Sequence, residues 1–362
     1  MILVSILGDF HSSIIPISYA FREKISKHII VYDDARGDVE EAKRILRGQK
    51  AFLQTGAADY EVVEERIDED SFASLMRCVA HIKQHADSYG DIHLNTTDGL
   101  TSVSLVLSSH LLEAGAKAIA YDRYANTYNL HTAQSMQKHA IEDSMDIRTH
   151  LMLKGYTLLD AADEDVLAGR KAHVLSLAED LDRYKAFAFL LQKRRYDEIA
   201  GYSDYKTHLE AIGNTSQSFI QGTVFEEYIY HLVTENFDFD DVMCNVKVAY
   251  DEVVENEFDI LMIKENHLHT IECKLVAGLK GESIVYKTET IIDHLDDDGR
   301  AMILSIGAEN VRYTKSGKKR MQFTKGDHAR AKYAGIAVHQ AKSFDEEAFL
   351  DDVASWFGVK KN

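Results

Sequence analysis

The sequence predicts an α/β protein with two domains, an N-terminal doubly wound sheet and a C-terminal α/β domain, joined by a helical connector. First, 362 residues exceed what one ordinary hydrophobic core accommodates. Second, short apolar runs alternate with segments of helical periodicity over the N-terminal part, which is typical of a parallel sheet. Third, the C-terminal part has a helix, several strands and another helix in succession, and two of these strands are close enough in sequence to form a hairpin.

Five apolar runs predict the strands of the N-terminal sheet: Met1–Leu7, Ile29–Tyr32, Tyr60–Val63, Ile92–Leu94 and Ala118–Tyr121. Helical spacing predicts the crossovers between them: a stretch ending at Arg22, Val39–Arg47, Phe72–Ile82, and a long helix ending at Glu113 before Gly115. In a sheet of this kind, ligands bind at the carboxyl ends of the strands, near the point where the strand order reverses.

The middle of the chain differs in character from both ends. Residues 141–212 are rich in Leu, Ala and charged residues with helical periodicity, as in Val166–Ala178 and Ala186–Ile199. The sequence therefore predicts an N-terminal domain at 1–140, a helical connector at 141–212 and a C-terminal domain at 213–362.

Charge and cysteine usage exclude several classes of protein. The net charge of −18 argues against a general polyanion binder, although the stretch from Arg312 to Lys332 has eight Lys or Arg residues against the single acid Asp327. Three scattered cysteines without a CxxC pair argue against a disulfide framework or a zinc site, and they predict a reducing, cytoplasmic setting. No apolar run approaches the roughly 20 residues that cross a bilayer, so no membrane partner is expected.

Two C-terminal strands carry the residues with the clearest chemistry. Phe258–Ile263 and Leu268–Leu275 are separated by Lys264–His267, and a hairpin about this turn places Asp259 directly opposite Glu272. Opposed side chains have Cβ atoms roughly 4.5–5.5 Å apart. Two carboxylates at that distance repel unless a cation lies between them, and such oxygen ligands suit Mg²⁺ or Mn²⁺. A register slip of one residue would instead leave an ordinary surface hairpin.

The alternation of side chains along the second strand adds a cation to this pair. Alternate residues share a face: Thr270, Glu272 and Lys274 on one side, Ile271, Cys273 and Leu275 on the apolar other side. Asp259 and Glu272 would hold the metal, with the backbone carbonyl of Cys273 as a further ligand. The metal would polarise a phosphate and activate water. The Lys274 ammonium would orient that water or stabilise charge developing on phosphorus. The pattern predicts phosphodiester hydrolysis.

Asp259 followed by Glu272-Cys273-Lys274 resembles the PD-(D/E)xK endonuclease motif, and Gly222 to Tyr228 is similar to the helix that precedes this motif in the superfamily. The resemblance implies a restriction-endonuclease-like α/β fold for the C-terminal domain. It also implies that a helical glutamate joins the site. Glu226 is the first candidate and Glu227, one helical step away, is the alternative. The implied catalytic set is Glu226, Asp259, Glu272 and Lys274.

Two polar loops follow predicted strand ends in the N-terminal sheet. Gly8–Ser13 and Asn95–Thr101 offer hydroxyls, amides and flexible backbone, and the second opens a helix whose N-terminus attracts phosphate. A G-x-G-x-x-G fingerprint is absent from the sequence, which argues against a dinucleotide cofactor.

Together with the C-terminal motif, these loops resemble the CRISPR-associated Rossmann fold (CARF) effectors that carry a PD-(D/E)xK nuclease. The resemblance implies a homodimer whose paired Rossmann domains bind a cyclic oligoadenylate, usually the tetra-adenylate, as the activator of metal-dependent cleavage of DNA or RNA. Asp98 stands where many members of the family have a glycine. The implied ligand-binding residues are Asp9, Ser12, Ser13, Asn95, Thr96, Thr97, Asp98, Gly99 and Thr101.

Two other functions are compatible with the same residues. One is a repair or restriction-type nuclease that needs no ligand, and the other is a nucleotide sensor with a decayed nuclease fold. The intact Asp259, Glu272 and Lys274 favour an enzyme over the sensor. The histidines are dispersed, and the close pair His267 and His269 is expected on the hairpin surface. We therefore predict a cyclic-oligoadenylate-activated, metal-dependent nuclease of type III CRISPR antiviral defence.

Overall fold

A computed structural model gives the chain as two compact units. Unit 1 comprises Met1–Leu158 and Ala249–Val254, and unit 2 comprises Leu159–Val248 and Glu255–Asn362. The residues it describes are 1–8, 13–33, 39–192, 194, 196–251, 253–275, 281–296, 298–306, 311–313, 319–321 and 323–362, and the side chains of 192, 196, 311–313 and 319–321 lie outside that description. The domain boundaries predicted from the sequence, with an N-terminal domain at 1–140, a connector at 141–212 and a C-terminal domain at 213–362, remain a prediction.

Unit 1 is built on one sheet of seven strands. Its elements are β1 (Ile2–Ile6), α1 (Ile14–Ala20), β2 (Lys27–Asp33), α2 (Val39–Gln54), β3 (Glu61–Ile67), α3 (Phe72–Gln84), β4 (Ile92–Asn95), α4 (Thr101–Glu113), β5 (Lys117–Asp122), β6 (Thr127–His131), β7 (Met136–Ala140) and α5 (Ile147–Leu153). The strand order is β3-β2-β1-β4-β5-β6-β7. Strands β1 to β5 pair in parallel, whereas β6 and β7 are antiparallel.

The central strand β1 is buried on both faces, which is why it is a continuous apolar run rather than an alternating one. Ile2, Val4 and Ile6 pack with residues of α3 and α4. Leu3 packs with residues of α1 on the opposite face. The sheet is therefore doubly wound, as predicted. The strand order reverses between β1 and β4, so the crevice that binds ligands in such sheets opens at the carboxyl ends of these two strands.

A buried histidine of β2, His28, makes the stability of unit 1 sensitive to pH. Burial lowers the pKa of His28 to about 4, although a hydrogen bond with Gln49 opposes the shift. The His28 Nε2 atom lies 3.0 Å from the Ser5 hydroxyl oxygen. In the unfolded chain His28 takes up a proton near pH 6.5, whereas in the folded chain it does so only near pH 4.

We therefore expect unit 1 to lose about 3 kcal/mol of stability as the pH falls from 6.5 to 4, because the unfolded state binds more protons in that window. A His28→Gln variant should show a smaller loss. The measurement is hydrogen exchange of β1 and β2 amides across this pH range. A parent-like loss in His28→Gln would contradict the assignment.

Unit 2 contains a mixed sheet of six strands, ordered β15-β12-β11-β10-β9-β8, and a two-stranded ribbon of β13 and β14. The elements in chain order are β8 (Thr157–Asp160), α6 (Glu164–Ala178), α7 (Leu181–Gln192), α8 (Ser203–Ile212), a π-helical turn (Phe219–Thr223), α9 (Val224–Asn236), β9 (Asp241–Ala249), β10 (Glu255–Lys264), β11 (His267–Lys274), α10 (Gly281–Leu295), β12 (Ala301–Ile306), β13 (Val311–Tyr313), β14 (Lys319–Met321), α11 (Lys325–Tyr333), β15 (Ile336–Ala341) and α12 (Glu346–Phe357).

The β10–β11 hairpin has the register that the sequence predicts. Its paired residues run from Lys264↔His267 to Ile260↔Ile271. The turn is shorter than the predicted four residues, because Lys264 and His267 already belong to the strands. Glu265 and Asn266 form the turn alone with φ angles of 52° and 68°. Two successive left-handed residues are the mark of a type I′ turn, whose twist matches that of the strands.

Some strands were missed by sequence reasoning. The hairpin of β6 and β7 and the short strand β8 were not predicted, and β8 lies inside the predicted helical connector. These segments are short and mostly polar, and their residues are half-buried or exposed. They lack the apolar run or clean alternation that identifies a strand from sequence. No helix among the described residues is long and apolar enough to span a membrane.

Candidate active site

Three oxygen atoms converge on the Lys274 ammonium at the end of the β10–β11 hairpin. Lys274 Nζ lies 2.8 Å from Glu272 Oε1 and 3.2 Å from Asp259 Oδ2. It also donates a hydrogen bond of 2.9 Å to the backbone oxygen of Cys273. These three oxygens are the ones that the sequence assigns to a metal ion. The cation that two neighbouring carboxylates require is therefore supplied by the chain itself in this structure.

The backbone around Asp259 departs from a regular ladder in a way that fixes its carboxylate. The pairing of β10 with β11 reaches Ile260↔Ile271, and the next backbone bond of the pattern would involve the Cys273 amide. That amide instead donates to Asp259 Oδ2 at 2.7 Å. A hydrogen bond from a backbone amide holds the ionised oxygen in place. Asp259 is thus oriented from the partner strand as well as from its own.

The two faces of β11 differ as predicted. Ile271, Cys273 and Leu275 belong to the main hydrophobic core of unit 2, together with residues of α9 and α12. Burial raises the pKa of the Cys273 thiol well above its usual value, so that side chain stays neutral within the core. Glu272 is buried on the other face, where Lys287 of α10 approaches its Oε1 at 3.5 Å.

Of the two candidate helical glutamates, Glu226 shares a cavity with Asp259. The cavity measures about 520 Å³ and belongs entirely to unit 2. Glu227 is fully buried and forms a two-pronged ion pair with Arg170. The structure therefore separates these neighbours, with Glu226 beside the hairpin carboxylates and Glu227 held in a structural pair. Sequence alone could not do so, because Arg170 lies far from both in the chain.

Negative charge is concentrated in this cavity. Burial, and then the charges of Asp259, Glu257 and Glu272, raise the pKa of Glu226 well above its usual value. Burial and Glu272 raise the pKa of Asp259 as well, against the opposing effect of Lys274. Burial lowers the pKa of Lys274, but the carboxylates of Asp259 and Glu272 outweigh it and the net shift is upward. Lys274 therefore remains an ammonium, and the site holds more negative charge than one cation neutralises.

The donor set fits a hard divalent cation. Mg²⁺ and Mn²⁺ prefer carboxylate and carbonyl oxygens, which are the atoms that converge here. The raised pKa values of Glu226 and Asp259 show that a further positive charge would be favourable at this place. Asp259, Glu272 and the Cys273 carbonyl would hold the ion, and Glu226 is a further carboxylate in the same cavity as Asp259.

A π-helical turn leads into helix α9 and brings Glu226 to the cavity. This turn, Phe219–Thr223, contributes Phe219, Gly222 and Thr223 to the lining. A side chain at Gly222 would bring its Cβ to 3.0 Å from Glu226 Oε1, so glycine leaves space for the carboxylate. π-helical turns are frequently found at functional sites. The sequence gives no sign of this turn beyond the glycine.

The described part of the two N-terminal loops forms a bonded network at the switch point between β1 and β4. The Ser13 amide donates to Asp98 Oδ2 at 2.7 Å, and Asn95 Nδ2 donates to the Ser13 hydroxyl at 3.0 Å. Thr97 accepts a bond of 2.6 Å from the Tyr121 amide, and the Thr96 hydroxyl donates to the Ile119 carbonyl. The Asp98 carboxylate thus links the two loops by a hydrogen bond.

Glycines allow the two loops to touch through their backbones. A Cβ atom at Gly8 would lie 2.7 Å from the Cα of Gly99. Gly99 has a φ of 101°, and a Cβ there would lie 2.6 Å from Ile6 Cγ2. Thr101 is exposed at the start of α4. Asp9 and Ser12, also predicted to bind the ligand, lie outside the described residues, as do several cations of the basic stretch from Arg312 to Lys332.

Comparisons with known proteins bear on both units. Residues 213–324 match the family model described as "Card1-like, endonuclease domain". The fold is similar to that of Can2 from Sulfobacillus thermosulfidooxidans in complex with cyclic tetra-adenylate, with a TM-score of 0.69, 15% identity and 98% of each chain covered. It is also similar to that of protein VC1899 from Vibrio cholerae, with a TM-score of 0.72, 16% identity, and 99% of this chain and 98% of the other covered.

The chain therefore shares its fold with Can2, and its C-terminal part matches a Card1-like endonuclease domain. The family resemblance and the fold class predicted from the sequence are thereby confirmed. No curated protein matches the chain at a significant level in a sequence comparison.

A second polar cluster lies at the turn end of the hairpin, away from Asp259. His267, Asp296 and Asp298 have side-chain ligand atoms within 4.8 Å of one another. His267 and His269 are both buried, so the expectation that they lie on the hairpin surface was wrong. The Leu268 amide donates to Asp296 and the Arg300 amide donates to His269, which shows that the segment before β12 covers this end of the hairpin.

Proposed function

We propose that this protein is a metal-dependent endonuclease of the PD-(D/E)xK type, activated by a cyclic oligoadenylate in type III CRISPR antiviral defence. The observation that carries the proposal is the convergence of Asp259, Glu272 and the Cys273 carbonyl on one cation position beside Glu226. The match of 213–324 to an endonuclease domain supports the same reaction class.

The metal and Lys274 would have separate roles in hydrolysis. A bound Mg²⁺ or Mn²⁺ would polarise the phosphate and lower the pKa of water. In the metal-free site Lys274 keeps its proton, and as an ammonium it would orient the water or stabilise the charge growing on the phosphate oxygens. The water oxygen forms a bond to phosphorus, and the bond from phosphorus to the leaving sugar oxygen breaks. The proton lost by water and the proton gained by the leaving oxygen balance each other.

The activator would bind at the carboxyl ends of β1 and β4. Support comes from the strand order, which reverses there, and from the polar loops on both sides of that point. Can2, whose fold this chain shares, is described in complex with cyclic tetra-adenylate. A two-fold symmetric ring matches a homodimer in which the same two loops meet at the axis. Ring binding would then shift the nuclease units towards an arrangement that admits a strand.

Incubation of the full chain with Mn²⁺ and mixed nucleic acids tests the proposal. Single-stranded DNA, supercoiled duplex DNA and RNA are each supplied with and without cyclic tetra-adenylate. We expect cleavage only when both the metal and the ring are present, and the substrate that disappears identifies the preferred strand. Full cleavage without the ring would instead identify a ligand-independent nuclease. Ring binding in a titration, with no cleavage of any substrate, would identify a sensor.

A further inference from the structure

Arg170 of helix α6 lies in the same cavity as Glu226 and Asp259, although it is distant from both in sequence. The cavity lining includes four carboxylates, from Asp160, Glu226, Glu257 and Asp259, but only two cations among its described residues, Arg170 and Lys247. A phosphodiester is itself negative, so its entry into an acidic cavity requires positive charge beyond that of the metal.

Of these two cations, Arg170 is the one whose side-chain orientation is fixed. Its Nε donates to Glu227 Oε2 at 2.7 Å, and its Nη2 donates to Glu227 Oε1. The Glu227 side chain is 0% exposed and that of Arg170 is 18% exposed. Lys247 differs, because it is exposed and pairs with Glu255 at 3.3 Å. A two-pronged pair sets both the position and the plane of a guanidinium, which a surface lysine does not achieve.

The pair with Glu227 leaves a second edge of the guanidinium for another ligand. A guanidinium has five N–H donors, and Glu227 takes one from Nε and one from Nη2. Among the described residues, no hydrogen bond is formed by Nη1 of Arg170. The Phe219 ring lies 5.4 Å from Arg170 Cζ and flanks it. The remaining edge, formed by Nη1 and the other Nη2 hydrogen, has the spacing that suits two oxygens of a phosphate.

The burial of Glu227 has a cost that its pairing must offset. Burial raises the pKa of Glu227, and the charge of Arg170 and its hydrogen bond oppose that rise. Buried ion pairs contribute little to stability compared with apolar residues of similar volume. A buried pair whose cation opens onto a cavity of carboxylates is better explained by the orientation it gives to that cation.

The geometry points to Arg170 as a phosphate-binding residue of the nuclease cavity. Glu227 is the positioning residue that orients the Arg170 guanidinium. The inference rests on the proposed nuclease function and assigns a contact outside the PD-(D/E)xK set. Arg170 would bind a phosphate of the strand beside the metal position and stabilise the negative charge of that phosphate. Glu227 would act only through Arg170.

The test is a binding scan with strands that each lack one phosphate charge. The probes are a short single-stranded DNA oligonucleotide and its 2′-O-methyl RNA counterpart, with one methylphosphonate placed at each position in turn. Affinity is measured with the full chain, cyclic tetra-adenylate and Ca²⁺, so that cleavage is not needed. In addition to any loss at a phosphate bound by Ca²⁺, we expect the parent to lose about tenfold in affinity at the position that contacts Arg170. In the Arg170→Gln/Glu227→Gln double variant, that position should lose nothing.

The double variant removes both charges, so it leaves no unpaired buried charge that would unfold the unit. Lys171→Gln is the matched control, since Lys171 is the next residue of α6 and pairs with the half-exposed Glu235. It should keep the parent's profile. Glu227→Gln alone keeps the cation and should weaken the position-specific loss while leaving the salt dependence of binding unchanged. A parent-like loss in Glu227→Gln would overturn its positioning role.

An identical profile in the parent and the double variant would overturn the assignment of Arg170, and so would a parent that binds neither probe. Failure of the proposed function would appear differently, as a parent that binds strands but does not cleave them with Mn²⁺. A parent that cleaves, with a profile that Arg170 does not influence, would leave the nuclease intact and remove only this contact.

Discussion

Replacing Lys274 with Met is expected to abolish cleavage and to destabilise the metal-free protein. Loss of a positioned donor that stabilises developing charge typically lowers kcat about 10²–10³-fold. The effect on stability has a separate cause, because Asp259 and Glu272 lose the cation that lies 3.2 and 2.8 Å from them. Breaking a buried pair costs about 3–5 kcal/mol, and the partial exposure of these groups favours the lower figure. The two effects are measured by cleavage rate and by thermal unfolding.

The same variant tests whether the ammonium occupies the position of the metal. If the metal binds where the ammonium lies, Mn²⁺ must compete with Lys274 for the same three oxygens in the parent. In Lys274→Met there is no competitor, so the ion should bind more tightly and raise the Tm by a larger increment than in the parent. The variant would thus gain stability from Mn²⁺ while remaining inactive. An equal or smaller increment would show that the metal and the ammonium do not share a position.

Two controls separate this effect from a general loss of charge. Asp259→Asn removes the charge of a proposed metal ligand and should abolish the Mn²⁺ increment. Lys287→Met removes another cation near Glu272, but Lys287 lies 3.5 Å away and is 55% exposed. An exposed pair is worth roughly 0–1 kcal/mol, so its loss should hardly change the stability of the metal-free protein. A large destabilisation by Lys287→Met would mean that net charge, and not the position of Lys274, governs stability.

The register of the hairpin could be predicted because it rests on local chemistry. The position of the turn fixes which residues of β10 and β11 pair, and a turn centred between Glu265 and Asn266 places Ile260 opposite Ile271. An error in turn length did not alter the result, because a two-residue turn at Glu265 and Asn266 gives the same pairs as the four-residue turn that was assumed.

The position of Glu226 and Glu227 could not be derived in the same way. Neighbouring residues of a helix point about 100° apart, so either one could face the hairpin until the direction of α9 is known. That direction depends on the π-helical turn and on Arg170, which comes from another helix. The role of Asp98 is similar. Its carboxylate accepts a bond from the Ser13 amide of another loop, a contact that neither loop's sequence reveals.

A Gly8→Ala variant is expected to lose the response to the cyclic oligoadenylate while unit 1 stays folded. The added Cβ would lie 2.7 Å from the Cα of Gly99 and 2.8 Å from its carbonyl carbon, and both are backbone atoms that cannot rotate away. The loops after β1 and β4 would have to separate, and the bond from the Ser13 amide to Asp98 spans the same gap. Because a ring held by both loops depends on their spacing, we expect at least about a tenfold loss of affinity, as for one lost charge-assisted contact.

Calorimetric titration with cyclic tetra-adenylate measures this loss, and circular dichroism checks that the variant is folded. Gly90→Ala is the matched control, because it makes the same change in the same unit where the nearest atom is Ser88 Oγ at 3.6 Å. It should bind the ring as the parent does. If Gly8→Ala binds the ring with parental affinity, the ligand does not bridge the two loops, and the crevice between β1 and β4 is not the activator site. If the affinity for the ring falls but cleavage still proceeds at the activated rate, the ring binds in this crevice without controlling the nuclease. An activator acts only through its preference for one conformation, so weaker binding should reduce activation.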